Sequence, residues 1–566
     1  MQRPEHPKRR SPAWMLRFGI QGLIGLGGLL AWTVPTHAAE SIILSYGSLQ
    51  RSISVESLEH YAETRDAPAD LKPYLQRFDE QQKEQLRNLL QTQADLDHVA
   101  IAQFLYTRQG EILLQQLGDV IQTESYQPGF LALRGAMILA ADSDEGLSLL
   151  SIVKKFPTDQ LRIDLRETLD LMDDLDQLIT QTAKASKAIQ QQAEAERATE
   201  GTPDLSALPD WRSSGPFSSV VETFVMTDEA RDRTLPVDLY LPTPAGNRAA
   251  ASADNQRLPV IVISHGLGSD RTSYAYLARH LASYGFAVLV PEHPGSNSEQ
   301  IQALIEGRVN QMTDPQEFVD RPLDIKFVLN QMEQMEASDP QLHLDLNNVG
   351  VIGQSLGGYT ALVLAGATVD FRQLMADCIP TSPSFNLSLL LQCRVLDTAY
   401  PVSGLQDDRI KAAIAINPIG SSILGQPGFA SIQRPVMIVT STADTIAPAL
   451  IEQIEPFTWL RTPDRYLLAL QGATHFSTIG AVENEIPLPE ALVGSDPAIA
   501  QRYMKAMSTP FFKTYLSDFA KYSPSLQAAY ADQISQPALP VHLIKSLDGE
   551  QLSRAISSDA DGAAGG

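Results

Sequence analysis

The sequence predicts an α/β fold with a mostly parallel sheet and helices on both faces, preceded by an all-helical N-terminal region. From Trp211 onward, short continuous apolar runs alternate with helical segments, which is typical of parallel strands buried on both faces. Before that residue, apolar side chains recur three and four positions apart, the spacing of amphipathic helices. At 566 residues the chain is too long for a single core, so we expect two or more domains.

Residues 1–38 have the composition of a secretory signal peptide. Residues 8–10 are basic, residues 18–32 are apolar, and the small side chains of Thr36 and Ala38 fit positions −3 and −1 of a cleavage site. The apolar stretch is short for a membrane span, and an uncleaved anchor is the alternative. The segment predicts export to the periplasm or the extracellular space.

Residues 39–163, called the N-terminal region below, show helical spacing throughout. Leu58 and Tyr61 share one helical face, and Gly110 and Pro157 mark breaks between helices. The sequence of this region contains neither a repeat at a fixed period nor a cluster of catalytic side chains. We therefore predict an all-helical bundle with a packing role, or with a docking role toward an unknown protein partner.

Residues 164–210 predict a helical linker that ends in a hinge. Residues 177–200 are rich in Gln, Ala and Glu and poor in large apolar side chains, which is typical of a solvated helix and not of a core element. The sequence Gly201-Thr202-Pro203 ends the helix.

The predicted catalytic domain spans residues 211–545 and contains the strand-like runs. Residues 371–409 interrupt it as a candidate cap, and residues 546–566 form a tail that ends in small side chains. Helical segments separate most of the runs, so we expect neighbouring strands to be parallel. The runs are residues 220–226, 237–241, 260–263, 287–290, 349–352, 412–416, 436–439 and 466–470.

The run at 349–352 leads directly into Gly353-Gln354-Ser355-Leu356-Gly357, and a helix-forming segment follows. Strand, Gly-x-Ser-x-Gly and helix are the signature of the nucleophile elbow of an α/β-hydrolase. Glycines two residues either side of Ser355 avoid a collision in the sharp turn and tolerate its backbone strain. A plain Gly-Ser loop is the alternative, because the pentapeptide alone is a weak signal.

Two further side chains complete a predicted catalytic triad with Ser355. A serine hydroxyl needs a base within hydrogen-bond reach, and the chain order in this fold is serine, acid, histidine. His475 follows the last apolar run and Asp444 follows the run before it, so both belong to loops at the carboxyl ends of strands. The alternatives are a structural role for His475 in the core and helix capping by Asp444.

Two backbone N–H groups are predicted to hold the oxyanion that forms during acyl transfer. One belongs to Leu356, next to the serine, and the other to Leu267, in the loop after the run at 260–263. His265 in that loop is interpreted as a brace and not as a second base. The predicted reaction needs no cofactor, and the scattered histidines predict no metal site.

The two cysteines, Cys378 and Cys393, lie inside the candidate cap. In an exported protein an even pair of cysteines favours a disulfide, which for a loop of this size stabilises by about 3 kcal/mol. Two free thiols are the alternative. The apolar side chains at 385–391 either cover an acyl pocket or pack in the core.

Several of these segments resemble known families. HGLGSDRTSY at 265–274 resembles platelet-activating-factor acetylhydrolases, whereas DTIAP at 444–448 and GATHF at 472–476 are similar to the bacterial cutinase, lipase and polyester-hydrolase group. The N-terminal region resembles an uncharacterised module that precedes such hydrolases in photosynthetic bacteria. The resemblance implies an α/β-hydrolase serine esterase with a triad of Ser355, Asp444 and His475 and an oxyanion hole of Leu267 and Leu356.

Together these features imply an exported serine carboxylic-ester hydrolase. The expected substrate is a small-molecule or lipid ester, with short-chain or phospholipid-type acyl groups, as in a lipase or esterase of lipid degradation. The net charge of −24 argues against a nucleic-acid partner. The alternatives are a peptidase or amidase with the same triad, and a non-catalytic binding protein on a hydrolase fold.

Overall fold

The computed structural model describes residues 39–94, 97–201, 208–244, 257–339, 342–379, 385–399, 402–480, 494 and 497–558. The predicted signal peptide at 1–38 lies outside the described residues, as does the end of the predicted tail at 559–566. None of the helices in the described ranges combines the length and the apolar character needed to span a membrane.

The N-terminal region contains strands as well as helices, so the prediction of an all-helical bundle is wrong. These strands have two to six residues, too few for an alternating apolar pattern to stand out from helical spacing. The strands are β1 (Ser41–Tyr46), β2 (Leu49–Ser54), β3 (Gln93–Ala94), β4 (Ile121–Thr123), β5 (Leu147–Ser148) and β6 (Gln160–Asp164). The helices up to the catalytic domain are α1 (Val55–Thr64), α2 (Lys72–Leu75), α3 (Glu80–Gln91), α4 (His98–Leu105), α5 (Arg108–Val120), α6 (Phe130–Ala141), α7 (Leu149–Lys154) and α8 (Leu165–Glu200).

The main sheet of the N-terminal region has the strand order β2-β1-β6-β4, and β3 pairs with β5. Strands β1 and β6 are parallel, which brings the two ends of this region together. Its helices pack into a core of their own, in which Leu114 of α5, Ala136 of α6 and Phe156 are fully buried. This core is separate from the two cores of the catalytic domain.

Helix α8 was predicted to be solvated in its second half, and that prediction is wrong. Ala185 and Ile189 are fully buried there, and Ala193 lies on the same stripe. Because these residues recur every fourth position and two of them are small, the helix packs closely against the catalytic domain. Glu196 on α8 accepts a hydrogen bond from the backbone N–H of Lys545 at 2.9 Å. The helix is therefore part of the folded catalytic unit as well as a connection.

The catalytic domain is built on one nine-stranded sheet in the order β15-β14-β13-β12-β11-β9-β10-β8-β7. Strands β9 to β14 are parallel, whereas β7, β8 and β15 run antiparallel to their neighbours. All eight predicted runs lie in strands, so the prediction of an α/β fold with a mostly parallel sheet is confirmed. The strands are β7 (Phe217–Asp228), β8 (Arg233–Pro244), β9 (Leu258–Ser264), β10 (Ala287–Pro291), β11 (Leu344–Gln354), β12 (Ile410–Ile416), β13 (Val436–Ser441), β14 (Arg465–Leu470) and β15 (Val541–Ile544).

Each face of this sheet carries its own core, because successive side chains of a strand point to opposite faces. In β9, Val260 and Val262 pack with α8 and with the helices Glu317–Ser338 and Leu356–Leu364. Ile261 and Ile263 pack on the other face with the helices Ala275–Ser283 and Pro497–Leu516. The helices are α9 (Ala275–Ser283), α10 (Ser298–Ile305), α11 (Glu317–Ser338), α12 (Leu356–Leu364), α13 (Phe371–Asp377), α14 (Leu387–Gln392), α15 (Ser421–Ala430), α16 (Glu455–Trp459), α17 (Pro497–Leu516), α18 (Phe519–Tyr522), α19 (Ala528–Ile534) and α20 (Gly549–Ser557). Helix α20 falls in the predicted tail, yet its Leu552 is buried in the first of these cores.

Candidate active site

The loops at the carboxyl ends of the parallel strands carry all the predicted catalytic residues. Ser355 directly follows β11, Leu267 follows β9, Asp444 follows β13 and His475 follows β14. Because these strands are parallel, the four loops share one edge of the sheet. The exposed fractions of Ser355, Asp444 and His475 are 7%, 7% and 3%, so neighbouring segments cover this edge.

Ser355 occupies a strained turn between β11 and α12. Its φ of 55° and ψ of −116° lie outside the regions that L-residues favour. A Cβ atom on Gly353 would stand 1.8 Å from the carbonyl oxygen of Gly357, and one on Gly357 would stand 2.1 Å from that of Ser264. Only glycine fits at both positions, which is the geometry of a nucleophile elbow. Leu356 begins α12, so its N–H has no acceptor within the helix.

Asp444 and His475 form a buried hydrogen-bonded pair. Nδ1 of His475 lies 2.6 Å from Oδ2 of Asp444, whose side chain is fully buried. Oδ1 of Asp444 accepts the backbone N–H groups of Ile446 at 2.9 Å and Ala447 at 2.8 Å. Because an ionised carboxylate can only accept hydrogen bonds, Nδ1 carries the proton of the neutral imidazole. Nε2 of His475 is therefore the nitrogen that can take up a proton.

Two amide side chains hold the main chain of the histidine loop. Nε2 of Gln354 donates to the carbonyl oxygen of His475 at 3.3 Å, and Nδ2 of Asn417 donates to the same oxygen at 3.2 Å. Gln354 directly precedes Ser355, so its bond connects the histidine loop to the serine turn. Sequence reasoning missed both roles. The signal for Asn417 is its position at the carboxyl end of β12, on the same sheet edge.

A buried arginine fixes the loop after β9. Arg321 of α11 is fully buried and donates to the carbonyl oxygens of His265 at 2.5 Å and Gly266 at 3.4 Å. Gly268 has a φ of 76°, and its N–H donates to the carbonyl oxygen of Ser296, in the loop after β10, at 2.9 Å. These bonds hold the backbone on both sides of Leu267, whose N–H is the predicted oxyanion donor.

Two buried histidines brace the same loop. Nε2 of His265 accepts a hydrogen bond from the backbone N–H of His293 at 3.0 Å. Nδ1 of His265 therefore carries the proton, and it donates to the carbonyl oxygen of Gly266 at 2.8 Å. Nδ1 of His293 lies 2.9 Å from Oδ2 of Asp324, and Nε2 of the same ring lies 3.0 Å from Oγ of Ser264. Burial, reinforced by the charge of Arg321, holds the pKa of both imidazoles well below the usual value. Both rings are neutral and enclosed, so Asp324, His293 and Ser264 form a structural arrangement and not a second triad.

Arg321 belongs to a buried cluster of opposite charges beside the loop. Arg233 contacts Glu317 at 2.7 Å and Asp324 at 2.8 Å. Burial lowers the pKa of Arg321 to about 10 and raises the pKa of Glu317 and Asp324. Across the described parts of the chain, no group of three or more His, Cys, Asp or Glu side chains is arranged to hold a metal ion. Arginine side chains balance the charge of these carboxylates in the structure.

The segment predicted as a cap contains α13, α14 and the 3₁₀ turn Cys393–Asp397. Cys378 and Cys393 form a disulfide within it. Part of its apolar content packs in the core, since Leu374 and Val395 are fully buried there. Other apolar side chains, Phe385 among them, border a cavity beside the Asp444 loop. Within the apolar set at 385–391, Leu391 packs against the core, whereas Phe385 and Leu387 line the cavity.

Glu452, in a π-helical turn at Leu450–Ile454, attaches this cap segment to the catalytic domain. Its carboxylate is fully buried and accepts hydrogen bonds from Asn386 at 2.5 Å, Ser388 at 3.0 Å and Gln392 at 2.7 Å. It also accepts the backbone N–H of Ser421 at the start of α15, at 3.0 Å. The sequence carries no signal for this residue, because its partners come from two distant segments.

Two family models match separate parts of the chain. Residues 38–164 match a model described as "Alpha/beta hydrolase of unknown function", DUF1400. Residues 217–320 match "Platelet-activating factor acetylhydrolase, isoform II". The first match covers the N-terminal region, and the second covers β7 to β10 with the Leu267 loop and ends before Ser355.

A protein named "Hydrolyase ccsE" from Aspergillus clavatus is 29% identical to this chain over 154 residues. The aligned part is 27% of this chain and 31% of that protein, so the chain covers less than a third of the relative's length. Taken with the two family models, the chain resembles the α/β-hydrolases and, among them, the platelet-activating factor acetylhydrolases. The predicted resemblance to that family is confirmed.

Proposed function

We propose that this chain is an exported serine carboxylic-ester hydrolase that acts through an acyl-enzyme. The observation that carries the proposal is the 2.6 Å contact between His475 and Asp444, at the sheet edge where Ser355 occupies its strained turn. The resemblance to platelet-activating factor acetylhydrolases supports an ester as the substrate. The composition of residues 1–38 supports export.

In the proposed acylation step, Nε2 of His475 takes the proton of Ser355 while the serine Oγ attacks the ester carbonyl carbon. Asp444 keeps the imidazole in the required tautomer and stabilises the imidazolium ion that forms. The carbonyl oxygen becomes an oxyanion and accepts hydrogen bonds from the N–H groups of Leu267 and Leu356. Each such donor typically lowers the barrier by about 3 kcal/mol.

The tetrahedral intermediate then breaks its bond to the alcohol oxygen, and His475 returns the proton to the departing alcohol. Water enters, loses a proton to His475 and attacks the acyl carbon bound to Ser355. The second intermediate releases the carboxylic acid and restores the serine hydroxyl. This sequence of steps consumes one water and needs no other reactant.

Hydrolysis of p-nitrophenyl acetate and of the matching p-nitroanilide, measured side by side, tests the proposal. We expect the wild-type protein to hydrolyse the ester much faster than the anilide. Ser355→Ala should lower ester turnover by more than about 10³-fold, because the nucleophile is lost. Equal rates on the anilide would favour a peptidase or amidase, and full activity of Ser355→Ala would refute the assignment of the nucleophile.

A further inference from the structure

A cavity of about 760 Å³ lies where three parts of the chain meet. Helix α5 of the N-terminal region forms one wall, with Leu113 and Leu117. Residues between Leu171 and Ser186 of α8 form a second wall, and the cap segment together with the loops after β13 and β14 forms the third. A volume of this size falls within the range of small-molecule sites in proteins, about 300–1,000 Å³.

The lining of the cavity is neutral and mostly apolar. Leucine, isoleucine, phenylalanine, alanine and proline side chains dominate it, and its polar members are uncharged amides and hydroxyls apart from Asp444. The Asp444 side chain is fully buried, and its two carboxylate oxygens already accept hydrogen bonds from Ile446, Ala447 and His475. Among the residues that the structure describes, the lining therefore offers no cation that could bind a phosphate or carboxylate head, and it matches an uncharged hydrocarbon chain.

The cavity adjoins the candidate active site directly. Asp444 is one of the residues that line the cavity, and its carboxylate accepts the hydrogen bond from His475. Gln471 and Gly472 also line the cavity, and they precede His475 in the same loop. A ligand in the cavity therefore contacts the two loops that carry the acid and the base.

The wall formed by α8 is partly open to solvent. Ile179 lines the cavity and is 59% exposed, and Leu175 lines it and is 39% exposed. Exposed apolar side chains at the rim of an apolar cavity lower the cost of bringing a hydrocarbon chain in from water. The acidic residues Asp173, Asp174 and Asp176 lie beside this rim on α8 and disfavour an anionic lipid.

We propose that this cavity binds a neutral hydrocarbon chain, and that the N-terminal region with α8 supplies the wall that selects it. One source of such a chain is the acyl group of the ester substrate, and this assignment rests on the proposed function. The other source is the chain of a separate uncharged lipid. In both cases the N-terminal region acts as part of the binding site of the catalytic domain.

Two measurements test the proposal. The first is calorimetric titration of 1-dodecanol, with 1-butanol for comparison, into the Ser355→Ala protein, so that binding is read without turnover. The second is the ratio of kcat/KM for p-nitrophenyl dodecanoate to that for p-nitrophenyl acetate in the protein that keeps Ser355.

Two variants change the cavity. Leu178→Trp fills the cavity from α8, and Ile179→Glu places a charge at its exposed rim, where folding is not at risk. Leu169→Trp and Leu169→Glu are the matched controls, because Leu169 is exposed on the same helix and does not line the cavity.

We expect 1-dodecanol to bind and 1-butanol to bind far more weakly. Both cavity variants should weaken 1-dodecanol binding by about tenfold or more, and the Leu169 variants should leave it unchanged. If the cavity variants also lower the ratio of kcat/KM for the dodecanoate ester to that for the acetate ester, the bound hydrocarbon chain is the acyl group of the substrate. An unchanged ratio identifies it as a separate lipid.

Failure of 1-dodecanol to bind, or equal binding by all variants, would overturn the proposal. Failure of the proposed function has a different signature. In that case neither ester is hydrolysed, while 1-dodecanol still binds and the cavity variants still weaken its binding.

Discussion

The two carboxylate oxygens of Asp444 have different partners, and this division orients His475. Oδ1 accepts the backbone N–H groups of Ile446 and Ala447, which leaves Oδ2 for Nδ1 of His475. An imidazole that donates through Nδ1 keeps Nε2 available as a base. The helix-capping role that the sequence also offered is not present, because the next helical turn, Leu450–Ile454, has Ala449 as its N-cap and no side-chain cap hydrogen bond. Asp444 instead holds the turn at Ile446 and Ala447 while it orients the histidine.

Asp444→Asn should lower kcat for ester hydrolysis by about 10⁴-fold, the effect that this change has in a serine protease. The amide NH₂ group would face Nδ1–H of His475 and favour the wrong tautomer. Steady-state kinetics with p-nitrophenyl acetate measures the effect. Asp408→Asn is the control, because Asp408 is fully exposed and precedes β12 at the opposite edge of the sheet. Near-normal rates for Asp444→Asn would assign the acid to another residue.

The sequence singles out Ser355, Asp444 and His475 because each has a local signal, a motif or a position just after an apolar strand. The residues that hold the histidine loop have similar positions, Gln354 inside the motif and Asn417 directly after β12, but neither position identifies the group that the side chain binds. Gln354 and Asn417 bind the carbonyl oxygen of His475 from 121 and 58 residues away. Contacts from a side chain to a distant backbone carbonyl depend on the completed fold, so no pattern in one sequence reveals them.

Arg321→Lys should lower kcat for ester hydrolysis by about tenfold with little change in KM. Lysine keeps the positive charge but cannot hold two carbonyl oxygens of the Leu267 loop at once, so the oxyanion donor is less precisely placed. Separate determination of kcat and KM distinguishes this positioning role from weaker substrate binding. Arg409→Lys is the control, because Arg409 is a partly buried arginine that precedes β12 at the other sheet edge. An unchanged kcat for Arg321→Lys would contradict the role.

Among the secondary-structure elements, those with long or fully apolar patterns follow from the sequence and the short or small-residue ones do not. Strand β15 has four residues after Pro540, which is too short to show a period. Helix α8 packs with Ala185 and Ala193, whose small side chains carry little hydrophobic signal. In the N-terminal region, β1 and β6 pair across more than a hundred residues, a contact that no local pattern shows.

The attachment of the cap segment by Glu452 leads to a prediction for stability. Glu452→Gln should lower the free energy of unfolding by about 3 kcal/mol, because the amide NH₂ faces buried donors in place of a carboxylate oxygen. Chemical denaturation measures the change. Glu550→Gln, on an exposed position of α20, should change the free energy by less than about 0.5 kcal/mol. Equal stability of both variants would show that the cap is held by other contacts.

At the scale of the whole molecule, the N-terminal region packs against the domain that contains the nine-stranded sheet. Helix α4 packs on α10, helix α5 packs on α14, and Arg108 contacts Asp397 at 2.8 Å. That ion pair is exposed, so it stabilises the arrangement little, and the apolar contacts of the helices matter more. Arg108 and Asp397 are 289 positions apart, and the sequence of either part alone predicts neither these contacts nor the cavity between the two parts.

The stability of the folded chain should depend on pH through His280. Burial, with the nearby charge of Lys505, lowers the pKa of His280 to about 4. As the pH falls below about 6.5, His280 binds a proton in the unfolded chain but stays neutral in the folded chain. The free energy of unfolding therefore falls as the pH drops from about 6.5 to 4. The slope from this group is about 1.4 kcal/mol per pH unit.

Urea denaturation of the wild type and of His280→Gln at pH 7, 5.5 and 4.5 measures this contribution. The difference in unfolding free energy between the two proteins should shrink or reverse in favour of the variant as the pH falls. A His280→Gln curve that runs parallel to the wild type across the three pH values would contradict the assigned shift.

The most direct measurement is the site of covalent labelling by a fluorophosphonate, which reacts only with an activated serine. Incubation of the full-length protein followed by peptide mass spectrometry should place the adduct on Ser355, and Asp444→Asn should slow the labelling. Labelling of a different serine, or no labelling of a folded protein, would show that Ser355, Asp444 and His475 do not act together as the catalytic residues.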